Sequence, residues 1–469
     1  MAEAKKKNNV LLWIVAIGFF METLDSTIVN TALPSMAASL HESPLSMHSV
    51  VIAYSLTLAL LIPASGWFAD RIGIRRVFLL AITIFTLGSI LCALSPTLHV
   101  LILARVLQGI GGSMLMPIGR LAILRTFPHE HYLAAMSFVA VPALVGPLIG
   151  PLLGGILVEL ANWHWIFLIN LPVGLLGFFC TLKFMPPIPS YEVSKFDVSG
   201  FFLLAIGMVS ISLALDGISE LGLEQVTVNL LFLLGFAGII GYVLHASRNK
   251  DAIFSLELFK LRTFAVGLVG NLFARIGSAA MPFLIPVFLQ VSLDYSPVQS
   301  GLSVAPIAFA AIFSRRIAPK FIEKYGYRSF LIFNTMLVGI SIISFVLISA
   351  REPAWVRILQ LVIFGGANSL QYSAMNSLTL KDLETKGTSS GNSLFSMVQM
   401  LAMSFGVATA GALLTSFAHH VHAKGGSTIE AFHLTFICMG AITFFSTAIF
   451  LQLSPETRRV VDVPVQVPQ

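Results

Sequence analysis

Fourteen apolar stretches, each long enough to cross a bilayer, follow one another along this chain with little between them. A helix rising 1.5 Å per residue needs about 20 apolar residues to cross ~30 Å of hydrocarbon. The stretches fall at about 10–36, 49–69, 77–95, 99–119, 134–158, 164–184, 198–217, 226–246, 264–289, 297–314, 329–349, 355–378, 393–415 and 431–453. The linkers leave no room for a soluble domain. Composition agrees: Asp, Glu, Lys and Arg make up 11% of the 469 residues, against roughly 25% in soluble proteins. So few charges cannot cover a water-exposed surface of this size. Soluble multidomain proteins, secreted disulfide scaffolds, nucleic-acid modules and disordered chains are excluded. The chain reads as an all-α polytopic membrane protein.

The 28 basic residues test this division. If the N-terminus is cytoplasmic and every stretch crosses once, 23 of the 28 fall on the cytoplasmic side, from Lys5, Lys6 and Lys7 to Arg458 and Arg459. The opposite side holds Arg351, Arg357 and Lys424, and Arg105 and Arg275 lie inside stretches. This asymmetry is what the positive-inside rule expects, with both termini cytoplasmic. The net charge of +6 then reports topology rather than a nucleic-acid partner. Glu22 and Asp25 interrupt the first stretch and no small-residue cleavage site follows, so it reads as an uncleaved span. Trp13, Trp67, Trp163, Trp165 and Trp355 lie near stretch ends, where indoles favour the interface.

An internal repeat is visible. Asp70-Arg71-x-Gly73-x-Arg75 follows the second stretch, and Glu323-Lys324-x-Gly326-x-Arg328 follows the tenth. The repeat predicts two six-helix units, over 1–185 and 263–469, with an inserted helix pair and linkers over 186–262. Parallel repeats of this kind are a transporter architecture.

Charges inside a bilayer are expensive and mark function by default. Glu22 and Asp25, three residues apart, share one face of the first helix. Burial favours the neutral form of a carboxylate, and a nearby cation favours the charged form. Asp25 lies about nine residues below the far end of its helix and Arg105 about eight below the same face, so both sit roughly 12–14 Å deep. Arg105 is the natural partner, either as a proton switch or as a permanent structural ion pair. Arg275 has no acid at matching depth; it either faces a cavity or plays a packing or snorkelling role. Gly146, Gly150 and Gly154 form a smooth face for close helix approach, among Pro142, Pro147 and Pro151, which remove backbone donors. His419, His420 and His422 read as a polar surface loop rather than a metal site, since no acid or thiol completes them. Cys92, Cys180 and Cys438 read as small buried hydrophobes. No zinc-protease, nucleophile-elbow or Walker motif is present. The chain reads as a non-enzyme without cofactors, powered by an ion gradient.

Five motifs carry a resemblance that covers nearly the whole chain. They are Leu24-Asp25-x-x-x-x-Asn30-x-x-x-Pro34, Gly66-x-x-x-Asp70-Arg71-x-Gly73-x-Arg75-Arg76, Arg105-x-x-Gln108-Gly109, Gly146-Pro147-x-x-Gly150-Pro151-x-x-Gly154-Gly155 and Trp163-x-x-x-x-x-x-Asn170-x-Pro172. Together they resemble the major facilitator superfamily, its fourteen-helix drug:proton antiporter branch, and within that the bacterial MdtD group of multidrug exporters. The resemblance implies two six-helix bundles plus two inserted helices, in a monomer of the bacterial inner membrane. It implies proton coupling by Asp25 and Arg105, with Glu22 nearby but outside the motif. It assigns Asp70, Arg71, Gly73, Arg75 and Arg76 to a gating loop, for which a simple solvated loop is the alternative. It assigns Gly146, Pro147, Gly150, Pro151, Gly154 and Gly155 to the antiporter helix. Asn30, Gln108 and Arg275 are the candidate substrate contacts. The expected partners are protons, lipid and a small-molecule substrate. The expected activity is proton-coupled export of small amphipathic compounds by alternating access. The alternative is export of a small organic anion or a metal chelate such as iron citrate.

Overall fold

In hydrocarbon every backbone polar group must be paired within the chain, which leaves helices or closed barrels. The computed structural model, which describes residues 2–127, 129–186, 195–217, 225–249, 251–349, 352–382, 388–423 and 425–454, is helical, with no strand among the described residues. The elements are α1 (Ala2–Leu40), α2 (His48–Ile72), α3 (Ile74–Ala93), α4 (Leu98–Thr126), α5 (His129–Leu160), α6 (Trp165–Leu168), α7 (Asn170–Phe184), α8 (Val198–Gly217), α9 (Gln225–Arg248), α10 (Arg262–Ala279), α11 (Met281–Ser292), α12 (Pro297–Ser344), α13 (Ala354–Leu380), α14 (Thr388–Ala423), α15 (Thr428–Phe445) and α16 (Thr447–Phe450).

Among the described residues, sixteen α-helices make fourteen spans because some spans are broken. α6 and α7 form the sixth, α10 and α11 the ninth, and α15 and α16 the last. The breaks have identifiable causes. Pro172 and Pro282 sit early in α7 and α11 and have no N–H to continue the preceding turn. Conversely, α12 joins two spans through Gly326, whose backbone is not helical (φ 73). Gly73, between α2 and α3, has φ 96. Both copies of the repeated motif thus turn at a glycine in a conformation that side chains resist. The sequence repeat has a backbone counterpart.

Thirteen spans are long and apolar enough to cross a membrane by composition alone. α13, the twelfth span, is long enough at 27 residues. Asn368, Gln371, Tyr372 and Asn376 dilute its hydropathy, and the last three belong to its inward-facing side.

Among the first six spans, Val15 and Phe19 of α1 pack with Tyr54 and Leu58 of α2, Phe78 and Phe85 of α3 and Leu115 of α4. The last six have their own cluster around Leu331, Met375 and Phe450. The largest cluster joins the two sets at the face opposite the chain's N-terminus, with Ile28, Leu33 and Val50 against Leu284, Phe288, Leu414 and Phe432. The inserted helices α8 and α9 meet at Gly207, Gly235 and Gly238; a Cβ on Gly238 would stand 2.7 Å from the Gly207 nitrogen. Their Met208 and Tyr242 lodge against Ala59 of α2 and Leu268 and Leu394 of α10 and α14. Leu103, Phe313 and Phe333 point outward and exposed, as lipid contact requires. The chain is a multi-pass membrane protein.

The side chains of Lys5, Lys6, Lys7, Lys250, Arg316, Arg351, Lys386, Lys424, Arg458 and Arg459, and that of His422, lie outside the described residues. The charge asymmetry therefore rests on the sequence. The face that carries the chain's N-terminus is termed the basic face below.

Candidate functional site

Asp25 lies at the centre of a polar net with no solvent exposure. Its Oδ2 accepts from Arg105 Nη1 at 2.6 Å. Its Oδ1 accepts from Gln108 Nε2 at 2.7 Å and from Asn170 Nδ2 at 3.1 Å. Ser89 Oγ in turn accepts from Gln108 at 2.8 Å and from Asn170 at 3.3 Å. Arg105 also donates to Gln108 Oε1 at 2.6 Å and to the Val50 carbonyl at 3.3 Å. Its guanidinium carbon lies 4.1 Å from the centre of the Tyr54 ring. Five spans contribute: α1, α2, α3, α4 and the α6–α7 break. A buried ion pair persists only when its remaining donors and acceptors are largely met; here both Asp25 oxygens accept, and Arg105 donates from Nε and Nη1.

Local sequence explains the convergence. Arg105 and Gln108 are three apart and share a face of α4. Gly109 and Gly112 let α2 approach, since a Cβ would meet Thr57 at 2.8 Å and the Tyr54 hydroxyl at 2.7 Å. The break before α7 places Asn170 at the first position of a new helix, turned into the bundle. The structure thus brings together Asp25, Arg105 and Gln108. It adds Ser89 and Tyr54, which no sequence motif marks, and Asn170, which the fifth motif contains without assigning it a role.

A cavity of about 400 Å³ lies next to this net, between the two sets of six spans and towards the basic face. Glu22, one turn from Asp25, lines it with Ser26 and Arg120 from the first set. Arg315, Tyr372, Ser396 and Gln399 face them from the second. Glu22 is 6% exposed, and its Oε2 has no hydrogen-bond partner among the described residues. Met116, Met400 and Met403 supply adaptable apolar surface. Arg120 and Arg315 read from sequence as loop charges. α4 in fact runs to Thr126, so Arg120 lies well inside it.

Arg275 stands behind the cavity wall. Its guanidinium carbon is 4.6 Å from the centre of the Tyr372 ring, and Arg315 is 5.7 Å from the same ring. Its Nη1 has no hydrogen-bond partner among the described residues. Asn30 is buried elsewhere in α1, with Nδ2 at 3.5 Å from the Ser26 carbonyl. Neither residue lines the cavity, nor does Gln108.

At the basic face, Asp70 pairs with Arg125, and Arg75 donates to the Leu182 carbonyl. Arg71 and Arg76 are exposed. These partners all belong to the first six spans. On α5, Gly146, Gly150 and Gly154 receive α1 directly behind Asp25. A Cβ on Gly146 would stand 2.8 Å from the Leu24 nitrogen, and one on Gly154 2.6 Å from the Ile28 carbonyl. Pro147 lines the cavity, and the Pro151 carbonyl accepts from Thr31 at 3.2 Å. Gly155 faces the other way, onto Pro297 and Val298 of α12, while Gly301 of α12 meets Pro151 and Leu152. That seam, with a bond from Gln290 Nε2 to the Thr31 carbonyl at 2.9 Å, closes the opposite face. No group of three or more metal-binding side chains occurs among the described residues.

Two sets of six spans around a shared cavity, with one buried charge net in the first set, is a transporter geometry. Comparison with known proteins agrees. The sequence pattern of the Major Facilitator Superfamily matches residues 15–407. The chain belongs to that superfamily. Its relatives include "Putative multidrug resistance protein MdtD" of Escherichia coli (strain SE11), 48% identical over 455 residues and 96% of each chain. The protein of that name in Serratia proteamaculans (strain 568) is 49% identical over 449 residues, covering 95% of this chain and 94% of the relative. Among solved structures, an auto-inhibited POT family peptide transporter aligns over 99% of both chains with a TM-score of 0.71 at 15% identity. A D-xylose–proton symporter aligns over 96% of this chain and 98% of its own, with a TM-score of 0.68 at 13% identity. At such identities these structures establish the shared fold alone. As a member of the superfamily the protein is a membrane transporter, not an enzyme.

Proposed function

We propose that the protein is a proton-coupled antiporter that exports small amphipathic compounds across the bacterial inner membrane by alternating access. The observation that carries this reading is the Asp25–Arg105 pair, buried and held in a hydrogen-bonded net one turn from a cavity between the two sets of spans. In general a cation beside a carboxylate favours its charged form, and a carboxylate left alone in an apolar site favours the neutral form. Rearrangement of α1 against α4 therefore takes up or releases a proton, and the same helices wall the cavity. The cavity faces the basic side, which the charge distribution assigns to the cytoplasm with both termini. It is placed to receive cargo from inside. The names of the relatives support drugs as cargo, and Glu22 suits a cationic amphiphile.

Purified protein in vesicles with an imposed pH gradient tests this reading. Adding ethidium as a probe is expected to release protons in a saturable way that empty vesicles do not show. If neither ethidium nor citrate moved protons, the antiport reading would fall.

A second cargo class has its own observation. Arg120 and Arg315 line the cavity, and Arg275 backs Tyr372, against Glu22, the single acid among the described lining residues. This cationic surplus favours a small organic anion. Paired variants separate the two. Under the first reading Glu22→Gln weakens ethidium transport at least tenfold and spares citrate. Under the second, Arg315→Gln weakens citrate transport by a similar factor and spares ethidium. Transport assays of both variants with both probes decide.

A further inference from the structure

We infer that His48 and Asp216 hold a proton between them and so form a second protonation site, a latch that ties the inserted helix pair to the seam at the opposite face. The shared proton stands apart from the reading above, while the strut's role at the mouth rests on that reading, whichever residue carries the coupled proton.

His48, at the start of α2, is fully buried. Its Nδ1 lies 2.6 Å from the Leu45 carbonyl and its Nε2 lies 2.7 Å from Asp216 Oδ1, at the end of α8. A carbonyl only accepts, so Nδ1 carries a hydrogen. A neutral imidazole has one N–H, and here it is spent on Leu45. Nε2 would then turn a lone pair towards a carboxylate oxygen at hydrogen-bond distance. The arrangement holds only if a second proton lies between them, giving an imidazolium against a carboxylate.

The latch sits where three parts of the molecule meet. α2 belongs to the first six spans and α8 to the inserted pair. The last six spans contribute Phe283 of α11, edge-on at 6.2 Å between centroids, and Gly411 of α14. A Cβ at Gly411 would stand 2.7 Å from the imidazole, so the glycine makes room for the ring. Among the described contacts of the ring, Asp216 faces it from α8, Phe283 from α11 and Gly411 from α14. Loss of the shared proton leaves two acceptors facing each other, which parts α8 from α2. An exporter must open this face to release cargo, and re-protonation from that side reseals it. The inserted pair is thereby given a role as a strut for the opposite mouth.

Full-length protein with 15N-labelled histidine, in lipid bilayers near neutral pH, tests the site. One histidine, identified by its absence in His48→Gln, is expected to carry protons on both ring nitrogens. Asp216→Asn is expected to convert it to a single N–H. Hydrogen exchange of residues 208–217 is expected to quicken several-fold in both variants. In the wild type, raising the pH is expected to remove the second ring proton and the exchange protection together, a linkage that Asp216→Asn lacks. A neutral His48 ring in the wild type would overturn the proton assignment. Unchanged exchange in Asp216→Asn, which keeps the side-chain size, would overturn the strut even if His48→Gln failed to fold.

Discussion

Asp25→Asn is expected to abolish pH-gradient-driven transport while leaving a folded protein that still binds cargo. Asparagine matches the carboxylate in size, and its oxygen can still accept from Arg105 Nη1, now at 2.6 Å from Oδ2. It cannot exchange a proton. Accumulation of ethidium or citrate, whichever proves to be cargo, should fall to the level of protein-free vesicles. Probe affinity should stay within a few-fold, because the cavity is lined by Glu22 rather than Asp25. Gradient-driven accumulation at the wild-type rate would remove Asp25 from the coupling step. Arg105→Met separates coupling from stability. It leaves the Asp25 charge buried with only Gln108 and Asn170 as neutral donors. Removing one partner of a buried pair costs about 3–5 kcal/mol, which thermal unfolding will report as a marked fall in Tm. The double variant Asp25→Asn/Arg105→Met should regain most of that loss, since no uncompensated charge remains. Strict additivity of the two single changes would mean that the pair is not coupled in the folded state.

The Asp25–Arg105 contact is legible in the sequence, because depth in a membrane helix is simple arithmetic at 1.5 Å per residue. The spans and the repeat are legible for the same reason: hydrocarbon thickness fixes helix length. Ser89 is not, and Asn170 is legible only as a member of the fifth motif, without its contact to Asp25. A serine in an apolar helix is ordinary, and Asn170 reaches Asp25 only because the chain breaks before α7. The fourth apolar stretch ends at 119, one residue before Arg120, and so hides it. Hydropathy marks where lipid contact stops rather than where the helix stops. Tyr372 lies within a stretch that the sequence marks plainly, but its place between Arg275 and Arg315 depends on how α10, α12 and α13 pack. The same limit applies to His48: nothing near it in sequence points to Asp216, 168 positions away.

Gly155→Leu is expected to wedge the opposite face open. Gly155 of α5 and Gly301 of α12 are reciprocal: each sits against the backbone of the other helix, and a Cβ on Gly155 would stand 2.9 Å from Val298 Cα. Backbone cannot yield as a flexible side chain can, so a leucine must push the two sets of spans apart. Overpacking costs about 1–3 kcal/mol, and here the cost falls on one conformation only. A bias of that size shifts a two-state equilibrium by roughly 5- to 150-fold. The chain should still fold, because a seam that parts during transport has no need of this contact in the other state. The checking measurement is labelling of Ser26→Cys, in the cavity wall, by an impermeant maleimide applied at the basic face, beyond the labelling of Cys92, Cys180 and Cys438. Gly155→Leu should slow it at least fivefold. Gly66→Leu is the control, since the space beside Gly66 is empty and labelling there should not change. Unchanged labelling in Gly155→Leu would mean that the α5–α12 seam does not govern which face is open, and that closure rests instead on the cluster around Leu284 and Phe288.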